Sequence, residues 1–202
     1  MITQRFVQVL ILTISSAYLS SCASKVAPKA APKPVPVSVK TVPSSKPSDI
    51  TGSKAQIAHR ILKHPKIILR RNQVSGRSDG ASSYDSIRQT SQGRSAKRSS
   101  YGNAKGGYTQ LDKRMLKGML YLANVKGYSF HVSSIAGGSH SPNSRHNSGL
   151  AFDVNYINGV KVNSRNPYFR KFMRTCRSLG ATEVLGPGFK GHSGHVHVAW
   201  PR

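Results

Sequence analysis

Hydrophobic positions fall unevenly along this 202-residue chain, and from about Tyr108 they become periodic. Leu111, Met115, Met119 and Leu122 recur at helical spacing, the stripe of an amphipathic helix. Thr109 offers its N-cap, Asp112 an acidic first turn and Gly127 its C-terminal stop. "YSFHVSSI" (128–135) alternates as a half-buried strand does, and a Gly/Ser/Asn-rich loop follows over 136–148. "LAFDVNYI" and "VKV" flank Asn158-Gly159, a strong hairpin signal. Asn166-Pro167 predicts the cap and first position of a second helix. Its apolar face is Phe169, Phe172, Met173, Cys176 and Leu179, and Gly180 stops it. "TEVLG" and "HVHVAW" complete the set as strands. The order predicts an α+β fold over 105–202, a small domain whose mainly antiparallel sheet is flanked by two helices.

Upstream the pattern dissolves. Residues 22–104 read as a disordered tether, first rich in Pro, Ala and Lys, then in Ser and Arg. One apolar piece, "IAHRILKHPKIIL", predicts a marginal helix interrupted by Pro65. Residues 1–21 have the form of an export signal, with Arg5 before an apolar stretch from Phe6 to Leu19. That stretch is shorter than the roughly 20 residues of a membrane span. Leu19-Ser20-Ser21-Cys22 resembles the lipobox of bacterial lipoproteins. The resemblance implies acylation of Cys22 after removal of 1–21, and Ala23 points to anchoring in the outer membrane, on its periplasmic side. Cys176, the other cysteine, is then left without a disulfide partner and is expected to pack as a small apolar residue.

Charge adds a partner question. Thirty-one Lys plus Arg stand against six Asp plus Glu, a formal net charge of +25. Such a chain favours polyanions: anionic envelope polymers or lipid head groups if exported, nucleic acid if not. The export signal weighs against nucleic acid.

Scarce acid makes Asp153 conspicuous. It lies between Phe152 and Val154 on a predicted strand and so faces away from both. A carboxylate in such a place must be paired, hydrogen-bonded or bound to metal. His195 and His197 alternate with Val196 and Val198, which turns both imidazoles to one face. His146 stands seven residues before Asp153. One Asp with two His makes an open tetrahedral zinc site, although ordinary hydrogen-bonded histidines and a loop-capping Asp153 fit the same pattern. His140 and His192 flank the cluster and read as solvated loop histidines, and His131 as a solvated strand residue.

Ser144-x-His146-x-x-Gly149-x-Ala151-x-Asp153 matches the SxHxxGxAxD motif of D-alanyl-D-alanine carboxypeptidase-type zinc peptidases. That group includes VanY-like enzymes and murein endopeptidases and shares its site with the hedgehog signalling domain. His195-Val196-His197 resembles the group's HxH. The resemblance covers about residues 108–200. It implies that His146, Asp153 and His197 ligate Zn2+, that His195 is the catalytic histidine, and that Ser144 supports the metal-site loop. It also implies peptidoglycan stem or crosslink peptides as substrate. Two positions depart from the carboxypeptidase pattern. Gly194 stands where many members carry a catalytic Glu, and "SSIAGGSH" (133–140) lacks an Arg to grip a terminal carboxylate. Both departures favour an endopeptidase. The sole glutamate, Glu183, is then a candidate base or a group supporting the site, and Arg145 is expected to point elsewhere. Gly194 also leaves room for a non-catalytic wall-binding lipoprotein that keeps the fold, and a basic nucleic-acid binder is the third reading.

Overall fold

The computed structural model describes residues 50–202, so the export signal, Cys22 and the first part of the expected tether lie outside the described residues. The fold is α+β. Four helices, α1 (Lys54–Lys63), α2 (Ser83–Ser91), α3 (Lys113–Asn124) and α4 (Phe169–Ser178), accompany eight strands. The strands are β1 (Ile67–Leu69), β2 (Ala96–Lys97), β3 (Tyr108–Thr109), β4 (Phe130–Ser134), β5 (Ala151–Ile157), β6 (Val160–Lys161), β7 (Glu183–Leu185) and β8 (Val196–Ala199). Six form one sheet in the order β1-β4-β5-β8-β7, with β6 joined to β5 as a hairpin. Only the β1–β4 pairing in this sheet is parallel. Strands β2 and β3 make a separate antiparallel pair.

The predicted elements from Tyr108 onward form, with local shifts. Asp112, not Thr109, caps α3: its carboxylate accepts the N–H groups of Arg114 and Met115, while Thr109 lies in β3. Asn166 accepts the N–H groups of Tyr168 and Phe169 and so starts α4 two residues later than Pro167 suggests. Asn158 and Gly159 both take positive φ, 50° and 78°, as a tight hairpin turn requires. Phe130, Phe152 and Phe172 meet ring to ring in the core, with Tyr128 and Trp200 against them. Cys176 is buried among these apolar groups, and burial pushes its thiol pKa up.

The domain begins well before residue 105, which corrects the expected tether and the count of two helices. Ile57, Ile61, Ile67 and Ile87 are fully or almost fully buried in the same core as Phe130 and Leu116. Composition hid this because the polar residues upstream are structural. Ser53 and Gln56 form a capping box at α1, and Ser82 caps α2. Ser83 Oγ donates to the Val132 carbonyl at 2.7 Å, tying α2 to the sheet. Pro65 lies between α1 and β1, where it terminates a helix and does not kink one. Among the described residues no helix is long and apolar enough to cross a membrane.

Candidate metal centre

Strand register assembles the cluster. In β5, Asp153 pairs with His197 of β8 on one side and Ser134 of β4 on the other. Phe152, Val154, Val196 and Val198 turn inward and are fully buried, which presents Asp153 and His197 together on the opposite face. The ladder between β4 and β5 is irregular at Val132–Ser134, where the strand bends beside the site.

His146 arrives on a 3₁₀ turn, Arg145–Ser148. Ser144 caps that turn, its Oγ accepting the His146 N–H at 3.3 Å. Gly149 ends the turn with φ 69°, and a Cβ there would collide with the Gln110 carbonyl. The glycine is therefore needed twice, for its dihedral and for the close approach. His146 Nδ1 donates to the Ile135 carbonyl at 2.6 Å, which leaves Nε2 to face the cluster.

Three atoms converge there. His146 Nε2 lies 3.2 Å from Asp153 Oδ1 and 3.1 Å from His197 Nδ1, and His197 Nδ1 lies 2.9 Å from Asp153 Oδ1. Tetrahedral ligands at about 2.0–2.1 Å from an ion sit roughly 3.3 Å from one another, so this spacing suits a common ion. His140, His146 and Asp153 also form a group whose donor atoms all lie within 4.8 Å and that could hold a metal ion. His140 Nε2 meets the Gly137 carbonyl at 3.0 Å and Ser134 Oγ at 3.1 Å, which leaves its Nδ1 for the cluster, just as the Ile135 carbonyl leaves His146 Nε2.

The groups around the three donors fit a metal as well. His197 Nε2 is buried without a hydrogen bond, yet Glu183 Oε1 is 3.2 Å away, out of line. A small ring rotation on ligation would let Nε2–H donate to that carboxylate, the usual outer partner of a ligating imidazole. Glu183 is itself anchored by Arg145 at 3.2 Å, and Arg145 also donates to Thr182 and the Trp200 carbonyl. Arg145 thus lines the site, contrary to the expectation that it points elsewhere.

Electrostatics follow the contacts. Burial alone would raise the Asp153 carboxyl, but His146 and His197 outweigh it and hold the group well below the carboxylate range. Burial likewise opposes charge on His146, and Asp153 overcomes it, so His146 titrates above an ordinary histidine. Burial, then the neighbouring His146, pushes His140 down to about 4. Burial also lowers His195.

His195 precedes β8 and lines the cavity beside the cluster without touching the three donors, its ring centroid 4.9 Å from that of His192. His140 and His192, expected in solvent, both line this cavity, and His140 stacks on His146 at 3.9 Å between centroids. Sequence offered little signal for His140 beyond its place six residues before His146. His131 is half-buried against Tyr156, outside the site. No protein-family model, curated protein or solved structure matches the chain.

Proposed function

We propose that the protein is a zinc-dependent peptidase acting on peptide bonds of peptidoglycan, as an endopeptidase. The observation that carries this reading is the convergence of His146 Nε2, Asp153 Oδ1 and His197 Nδ1 on one point at the wall of an open cavity of about 520 Å³. Two imidazoles and a carboxylate suit zinc and leave a coordination position free. Zinc there would supply an activated water and polarise the amide carbonyl. His146 and His197 would hold it through Nε2 and Nδ1 and Asp153 through Oδ1, with Glu183 placed to orient the His197 ring from behind. His195, whose cation burial disfavours, would take the proton given up by the attacking water and deliver it to the leaving amine. Glu183 is a poorer candidate for that task, because Arg145 pairs with its Oε2 and holds the carboxylate behind the His197 ring.

The peptidoglycan substrate rests on the resemblance of Ser144–Asp153 and His195–His197 to the carboxypeptidase and murein endopeptidase motifs, together with the lipobox-like Leu19–Cys22. The same stretch supports anchoring through acylated Cys22 in the outer membrane, facing the periplasm. Gly194, with no side chain where carboxypeptidases carry a Glu, leaves room for a second reading, a wall-binding lipoprotein without turnover. Incubating the purified protein with muropeptides, with and without a chelator, separates the two. Chelator-sensitive appearance of new amino termini supports the peptidase. Binding without cleavage supports the wall-binding protein.

A further inference from the structure

Helix α4 has two unlike sides. Phe169, Phe172, Met173 and Cys176 are buried in the core, whereas Arg170, Lys171, Arg174 and Arg177 are exposed. At about 100° per residue those four cations share one face. The helix carries no acidic residue. Among the described residues no carboxylate pairs with that face either, because each acidic side chain is engaged elsewhere. Asp79 is held by Ser99, Asp85 by Arg88 and Asp112 by Arg114. Asp153 belongs to the cluster, and Glu183 is held by Arg145.

Aromatic rings border the cationic face on both sides. Phe189 shares a surface pocket with Arg170, Arg174 and Arg177 and is 48 % exposed. Tyr168 shares another with Lys171 and Lys126 and is 38 % exposed. Neither pocket has a carboxylate on its wall. Lys190, next to Phe189, is exposed as well.

We propose that this face of α4, with Phe189 and Tyr168 at its borders, rests on an anionic lipid bilayer. Cations alone would suit any polyanion. Rings on both sides of a cationic ridge suit a bilayer, where aromatic side chains settle at the level of the head groups. The apolar side of α4 is already in the core, so the helix lies on the surface and does not enter the hydrocarbon. Each cation at an anionic head-group layer improves binding by about five-fold. The proposal does not depend on the peptidase reading, because none of these residues lines the cluster or its cavity.

Phe189→Trp in the full chain tests this on vesicles with brominated acyl chains, which quench an indole that reaches them. Wild type supplies the signal of the buried Trp200 for subtraction. On phosphatidylglycerol vesicles the new indole should shift to the blue and be quenched; on phosphatidylcholine vesicles it should do neither. Adding Arg170→Gln, Lys171→Gln and Arg174→Gln should lower the docking constant about 100-fold and so remove the quenching. A matched set on α3 and the loop before it, Lys105→Gln, Lys113→Gln and Lys117→Gln, removes the same charge from exposed positions and should keep most of it. No quenching on either vesicle, equal quenching on both, or equal loss in the two charge sets overturns the proposal. An indole that responds to inorganic polyphosphate in solution but not to vesicles also overturns it, and marks the face as a site for a soluble polyanion.

Discussion

Asp153 and His197 face each other in register on neighbouring strands β5 and β8, their Oδ1 and Nδ1 atoms 2.9 Å apart. The contact brings two residues 44 positions apart to one point and leaves His197 Nε2 on the far side of the ring, beside Glu183. An outer carboxylate of this kind raises the basicity of its imidazole and fixes the ring plane. Glu183→Gln should therefore weaken metal binding by about 10–100-fold while leaving the fold intact. Competition with a chromophoric chelator measures the constant. Unchanged affinity would show that Glu183 serves Arg145 alone.

The folded region extends upstream of the periodic segment, and a chain beginning at residue 105 tests this. It would lack Ile57, Ile61, Ile67 and Ile87 and would expose the β4 edge that β1 covers. Losing four buried side chains, each worth about 1.5–3 kcal/mol, removes an amount comparable with the whole stability of an ordinary domain. Residues 105–202 alone should show no cooperative thermal transition by circular dichroism. A sharp transition would contradict the shared core.

The chemistry-bearing part of the site was more legible than its frame. Period-two alternation around Asp153 and at His195–Val198 set which side chains share a face, because a pleated strand enforces it locally. The convergence of His146 with them depended on the motif's own turn, Ser144 to Gly149. What stayed hidden depends on contacts distant in sequence. Serines at 83 and 99 look like linker residues until the Val132 carbonyl and Asp79 come within reach. His140 reads as a loop residue until Gly137 and Ser134 fold it back onto His146.

Helix α3 holds a glycine for a reason no helix propensity gives. A Cβ on Gly118 would come within 2.7 Å of the Trp200 ring, which is buried and held by its Nε1–H donating to the Leu179 carbonyl. Elsewhere in a helix Gly→Ala gains about 1 kcal/mol. Here overpacking wins, and Gly118→Ala should destabilise by about 1–3 kcal/mol in urea unfolding. A stabilised variant would mean that Trp200 moves aside freely.

Asp79 gives a pH signature. Burial would raise its carboxyl, but hydrogen bonds from Ser99, Gln73 and the Ala81 N–H hold it below its ordinary value of 3.8. A depressed folded pKa contributes stability fully present above the unfolded value and lost as pH falls through the lower folded one. Asp79→Asn should therefore destabilise the protein modestly near neutral pH, by about 1 kcal/mol or less because solvent screens the partly exposed carboxylate. The gap to wild type should narrow once the pH drops below 3.8. Urea titrations at both pH values check this, and a constant gap would rule out the carboxylate's charge as the cause.

The most direct test of the metallopeptidase account reads metal content and muropeptide cleavage together in wild type, His195→Ala and His197→Ala. His195 lines the cavity apart from the three donors, whereas His197 Nδ1 is one of them. Wild type should carry about one equivalent of zinc and cleave. His195→Ala should keep the metal and lose about 10²–10⁴-fold in rate, the usual worth of general acid/base help. His197→Ala should lose metal and activity together. A His195→Ala protein that cleaves as fast as wild type, or a metal-free wild type that cleaves normally, would contradict the account.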